Sequence, residues 1–164
     1  MALPDVSISG GPPPELASSA RRVDFALPAA GASVAEARRR VRHHLLTWHL
    51  DEDSRDTAVL VVSELFTNAV LHSNGQAVTC VLAVAEGQLF VQVEDDSTGP
   101  PIPNPRHAPA HDEGGRGLML VDAVSRRWGV SRSEDRGGGW IVWATLDAAL
   151  AQPAQLPLRR RYFE

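Results

Sequence analysis

Ser63-Glu64-Leu65-Phe66-Thr67-Asn68-Ala69-Val70-Leu71-His72 sets polar chemistry inside a pattern otherwise suited to a buried helix. Val61, Val62, Leu65, Phe66, Ala69 and Val70 supply the apolar positions. Glu64, Asn68 and His72 recur every fourth residue and therefore fall along one side of that helix. A carboxylate and a carboxamide among apolar positions need a polar partner. A divalent cation with a phosphate would supply one. A polar stripe facing solvent is the ordinary alternative, and this segment alone supports both readings equally.

The surrounding chain narrows the choice. Its 164 residues suffice for one domain with a sizeable core. The formal net charge of -4 argues against a general nucleic-acid binder. A single cysteine, Cys80, excludes an internal disulfide and reads as a small buried hydrophobe within Thr-Cys-Val-Leu-Ala-Val. There is neither a run long enough to span a bilayer nor a signal-peptide pattern, so a cytoplasmic protein that engages no membrane is expected.

Residues 1–20, rich in Pro, Gly, Ser and Ala, read as a disordered leader. Val23–Pro28 reads as a strand. A helix follows with Ser33 as N-cap and Val34, Ala37, Val41, Leu45 and Trp48 on its apolar face. Arg38, Arg39, Arg40 and Arg42 beside them read as a solvated face. Asp51–Ser54 offers N-cap candidates for a second helix from about Arg55 to His72, which Gly75 ends. Val78–Val84 and Leu89–Glu94 flank Ala-Glu-Gly-Gln as a hairpin. After a long Pro-, Gly- and His-rich loop, Leu118–Val124 reads as a short helix. Trp128–Ser131 and Trp140–Leu146 read as closing strands. The expected fold is α+β: a two-layer sandwich with a mixed, mostly antiparallel sheet and helices on one face. The domain is placed at residues 21–149 and a flexible tail at 150–164.

Two further segments bear on chemistry. Val-Glu-Asp-Asp-Ser-Thr-Gly-Pro-Pro ends a strand at Asp95, where a carboxylate can accept a hydrogen bond from an exocyclic amine such as that of adenine. Ser97 and Gly99 let a base approach the backbone. An ordinary acidic turn is the alternative. Gly114-Gly115-Arg116-Gly117-Leu118 leads into an amphipathic helix, whose first N–H groups suit phosphate. A glycine hinge or cap is the alternative there. The Gly-x-x-x-x-Gly-Lys-Ser/Thr pattern is missing, which excludes a Walker-type loop. On the first segment, Asn68 could hold Mg²⁺ against a triphosphate, Glu64 could act as base, and His72 could reach phosphate or metal-bound water.

Taken in order, these segments resemble the GHKL ATPase superfamily of gyrase, chaperone, histidine-kinase and mismatch-repair ATPases. Glu64-x-x-x-Asn68-Ala69 resembles its N-box. Asp95-x-Ser97-x-Gly99 is similar to its D-x-G-x-G box, with serine at the first glycine. Gly115-x-Gly117-Leu118 is similar to its G-x-G-L box, and residues 96–115 correspond to the ATP lid. The short form resembles the small anti-sigma-factor serine/threonine kinases of actinobacteria. The resemblance implies a Bergerat-type sandwich with ATP and Mg²⁺ as cofactors. It implies Asn68 on the metal, Glu64 as base, Asp95 on adenine, and Gly115 and Gly117 near the phosphates, where Arg116 is also a candidate. It also implies a sigma factor or a STAS-domain anti-anti-sigma protein as partner, and a homodimer. Relatives often read Gly-Gly-Gly-Lys-Thr-Val-Trp near the last strand. This chain has Trp140 and Ile141 where lysine and threonine stand. A non-catalytic partner-switching adaptor is therefore a second expectation. A detached histidine-kinase domain acting in trans is a third, for which His43 and His44 are not convincing phosphoacceptors.

Overall fold

A computed structural model describes residues 11–18, 20–72, 75–96, 113–133 and 139–152, with the backbone alone at 113–116. Five strands and three helices follow in the order β1 (Arg21–Pro28), α1 (Ala32–Thr47), α2 (Glu52–His72), β2 (Ala77–Ala85), β3 (Gln88–Asp95), α3 (Glu113–Val124), β4 (Arg127–Arg132) and β5 (Trp140–Asp147). The sheet order is β1-β2-β3-β5-β4, and every pairing is antiparallel. The helices cover one face, giving the expected two-layer α+β sandwich. α2 is its centre: it packs on β2, β3 and β5, and on both other helices.

Alternation divides the sheet. Val78, Cys80, Leu82, Leu89, Val91, Val93, Val142, Ala144 and Leu146 point into the helix layer and join Ala37, Val41, Leu45, Phe66 and Trp128 in the main core. Trp128 is fully buried, and its indole N–H donates to Asp122 Oδ1 at 2.8 Å. Burial pushes the Cys80 thiol up to about 12, so it behaves as the hydrophobe the sequence suggests.

Local chemistry sets the element ends. The β2–β3 turn has two central residues at positive φ, Glu86 at 51° and Gly87 at 75°. A type I′ hairpin turn needs that handedness to match the strand twist. Asp51 Oδ1 accepts the Ser54 amide at 2.9 Å and starts α2 earlier than Arg55. Ser54 Oγ accepts the Ala149 amide at 3.0 Å, tying that start to the end of the sheet. Leu50 also bridges Leu150, so the first residue of the expected tail pairs with the fold. Ser33, expected as an N-cap, is instead buried inside α1. Gly31 is the cap residue and has no side chain to bond with; the Ala30 carbonyl already accepts the Ser33 amide, so the turn begins sooner. Arg38 is not merely solvated: its guanidinium donates twice to Ser63 Oγ, at 2.8 and 2.6 Å. Arg39 and Arg40 pair with Glu36 one turn away.

The other sheet face carries a second, smaller cluster of Val81, Ala83, Phe90 and Trp143. Residues 11–18 and 20, which the sequence assigns to a disordered leader, lie across it. Leu16 and Ala20 pack on the cluster, and Trp143 Nε1 donates to the Gly11 carbonyl at 3.1 Å.

Candidate functional site

The α2 stripe is not a solvated face. Glu64 is half-buried, Asn68 is only 2 % exposed, and His72 is exposed at the last residue of the helix. Buried polar groups are almost always hydrogen-bonded, because an unpaired one forfeits its hydration. Asn68 Nδ2 is an exception: it is buried and has no hydrogen-bond partner. The fold leaves a donor there that it does not satisfy, on the residue the sequence assigns to metal and phosphate.

Gly117 of the third segment packs against Glu64 of the first. A β-carbon at Gly117 would collide with Glu64 Oε2 and lie 3.4 Å from its Cδ, so glycine here leaves the Glu64 carboxylate in its present position against α3. Two boxes separated by some fifty residues of sequence thereby share one helix–helix contact. Gly117 and Leu118 are buried. The glycines do not merely precede α3, as expected; the helix begins at Glu113 and takes in Gly114, Gly115 and Gly117.

Asp95 closes β3, is 5 % exposed, and by its alternation with Val93 and Val91 belongs to the helix side of the sheet. Two glycines make room at this corner. A β-carbon at Gly139 would strike the Asp95 carbonyl oxygen, and one at Gly75 would strike the Asp96 carboxylate. Gly75 was expected only as a helix stop. Gly139 was given no role of its own; a glycine run beside a strand was the signal that a backbone passes close by. A cleft of about 270 Å³ is lined by Ala77, Thr79, Glu94, Asp95 and Asp96. Ala77, Thr79 and Glu94 alternate onto the outer face, whereas Asp95 belongs to the helix side, so the cleft lies at the end of the sheet.

Asn68, Glu64, Gly117 and Leu118 therefore meet on the helix side, and Asp95 ends the strand that α2 packs on. Ser97 and Gly99, most of the lid, and the side chain of Arg116 lie outside the described residues; Gly115 is described as helical backbone. Among the described residues no three His, Cys, Asp or Glu side chains converge on a metal site. A hard divalent ion held here would rely on a carboxamide oxygen, water and phosphate oxygens, which is the donor set Mg²⁺ accepts. The unpaired Asn68 Nδ2 donor suits a phosphate oxygen, the carboxamide oxygen of the same residue is a ligand type Mg²⁺ accepts, and with the half-buried carboxylate beside it they fit a magnesium–nucleotide complex.

No helix among the described residues is long and apolar enough to cross a membrane. A search of curated proteins finds no match. The family model of the histidine kinase-like ATPase domain matches residues 27–146, from the end of β1 to the penultimate residue of β5. The chain therefore belongs to the histidine kinase-like ATPase domain family, and membership carries with it an ATP-binding regulatory role.

Proposed function

We propose that the chain is an ATP-dependent anti-sigma factor with serine/threonine kinase activity toward a STAS-domain partner. The observation that carries this reading is the buried Asn68 with its Nδ2 donor unpaired, one turn from Glu64, with Gly117 against that carboxylate. When bound, ATP supplies a transferable γ-phosphoryl group and Mg²⁺ spreads its charge. Asn68 holds the metal through its carboxamide. Asp95 hydrogen-bonds the adenine amine, and the start of α3 offers backbone N–H groups to phosphate. Glu64 accepts the proton of the acceptor hydroxyl, its carboxylate held where Gly117 of α3 leaves room for it.

The test is magnesium–ATP phosphorylation of whatever STAS-type protein co-purifies with the chain from its native host. Transfer to a serine or threonine is expected, with none from Asn68→Ala or Glu64→Ala. Full transfer by both variants would sink the mechanism.

One observation favours a second reading, a nucleotide-gated adaptor that transfers nothing. Trp140 and Ile141 replace the lysine and threonine of many relatives. The Arg132 guanidinium stacks on the Trp140 ring at 5.1 Å, and Ile141 packs into the outer-face cluster. Neither offers a charge or hydroxyl to a phosphate. Saturable ATP binding without transfer to any co-purified partner would select this reading.

A further inference from the structure

The outer face of the sheet presents an aromatic groove. Trp143 and Phe90 form its walls, with Val81 and Ala83 as floor, and these four are 1–5 % exposed. The Arg127 guanidinium lies 5.8 Å from the Trp143 ring centroid and fixes that ring from β4. Nothing in the helix layer reaches this side. What buries the groove is the segment Gly11-Pro12-Pro13-Pro14-Glu15-Leu16.

The manner of docking is specific. Three successive prolines favour the polyproline II conformation, with three residues per turn. Half-burial follows that period: Pro13 and Leu16 form one pair and Gly11 and Pro14 another, while Pro12 and Glu15 stay exposed. Trp143 donates its indole N–H to the carbonyl of Gly11, the residue just before the three prolines. Clefts of about 470 and 180 Å³, both lined by Pro14, Glu15, Leu16 and Phe90, run along the segment. An indole donor, an aromatic wall and a preformed extended peptide are the elements of proline-rich peptide recognition.

The geometry points to the outer sheet face as a docking groove for an extended proline-rich segment, filled in cis by residues 11–16. A short connection to β1 holds the segment at an effective concentration on the order of millimolar. A weak intrinsic affinity therefore suffices to keep the groove closed, and weakness makes the segment displaceable. Once released, the groove accepts a proline-rich segment of the same pattern in trans. The inference is independent of nucleotide chemistry on the other face.

The test uses the full chain carrying Leu16→Asp, which expels the segment, and a synthetic peptide of residues 8–18 with Leu16 retained. The readout is the Trp143 indole N–H resonance. The peptide should bind the variant saturably and shift that resonance toward its position in the unmodified chain. It should not bind the unmodified chain. Adding Trp143→Phe removes that resonance, so peptide binding to this variant is followed by calorimetric titration; it should weaken roughly fivefold, the cost of one hydrogen bond. Absence of peptide binding to a folded Leu16→Asp chain would overturn the proposal. So would a dimer of the unmodified chain that Leu16→Asp dissolves, because the segment would then be exchanged between copies. Should Leu16→Asp not fold, Pro13→Gly with Pro14→Gly relaxes the segment in the full chain. Indole exchange should then quicken several-fold, and unchanged exchange would equally overturn the proposal.

Discussion

The two faces of the sheet are finished in opposite ways. The helix face is closed by covalent neighbours, α1 to α3; what it leaves open is polar, the Asn68 Nδ2 donor without a partner. Among the described residues no helix covers the outer face. What it leaves open is apolar, and a stretch before β1 closes it with Leu16 and an indole hydrogen bond. A buried orphan donor costs stability that only a ligand can return. An aromatic groove is stabilised by any chain that dries it. The first gap therefore selects a particular chemistry, and the second selects a shape.

The sharpest way to break this contrast is Asn68→Leu. It keeps the branched outline of the side chain, with bulkier methyl groups, and removes the unpaired donor. Affinity for magnesium–ATP should fall about a hundredfold or more, while the nucleotide-free chain gains about 1 kcal/mol in urea unfolding. A loss of stability would mean that Asn68 is satisfied within the fold and is a structural residue. Gly139→Ala should come next in size. Its β-carbon meets the Asp95 carbonyl, which is backbone and cannot rotate aside, so a destabilisation of about 3 kcal/mol is expected. Gly117→Ala should differ in kind. Its obstacle is the end of the flexible Glu64 side chain, so the midpoint of unfolding should barely move while phosphotransfer falls steeply. A pair of glycine variants thus separates backbone clearance from placement of a carboxylate.

The helix face was legible in the sequence, and the outer face was not, for a physical reason. Glu64, Asn68 and Gly117 announce themselves because each breaks a local rule: a carboxylate and an amide in an apolar helix, a glycine where alanine would serve the helix better. Strands β1 to β5 follow alternation and turn chemistry, and each was found within a residue or two of its observed ends. Ser33 misled because a good capping side chain is only a preference, overridden when the preceding carbonyl had already begun the turn. Arg38 was read as solvated because periodicity places a Cβ on a face but does not show a long side chain reaching Ser63. The proline segment was assigned to a leader because its composition cannot build a core of its own. That it borrows one from Phe90 and Trp143 is a tertiary fact with no local signature.

A milder test addresses the outer face. Leu16→Ser should cost about 1 kcal/mol, since Leu16 is only half-buried. It should leave ATP affinity unchanged, because the groove and Asn68 lie on opposite sides of the sheet. A matching loss of ATP affinity would show that the two faces communicate through β3 and β5.

The smallest effect expected is one of pH, and it belongs to the helix layer. His44 is half-buried in α1 and stacks on Phe25 at 6.4 Å. Burial lowers its pKa below the ordinary 6.5, and the neighbouring His43 and Arg40 charges lower it further. A depressed pKa means that the unfolded chain binds the proton more readily. The contribution of His44 is therefore present above about pH 6.5 and is lost as pH falls toward its folded value. The nearby carboxylates do not confuse that window. Arg39 and Arg40 hold Glu36 down to about 2, and hydrogen bonds from Ser54 lower Asp51, so both stay ionised well below pH 6. Unfolding midpoints should thus drop between pH 7.5 and 5.5, and His44→Gln should remove part of that drop. Because His44 lies far from the proline segment in the fold's two-layer order, Leu16→Ser should leave the same pH slope intact. A slope that vanished with Leu16→Ser would assign the titration to the outer face instead.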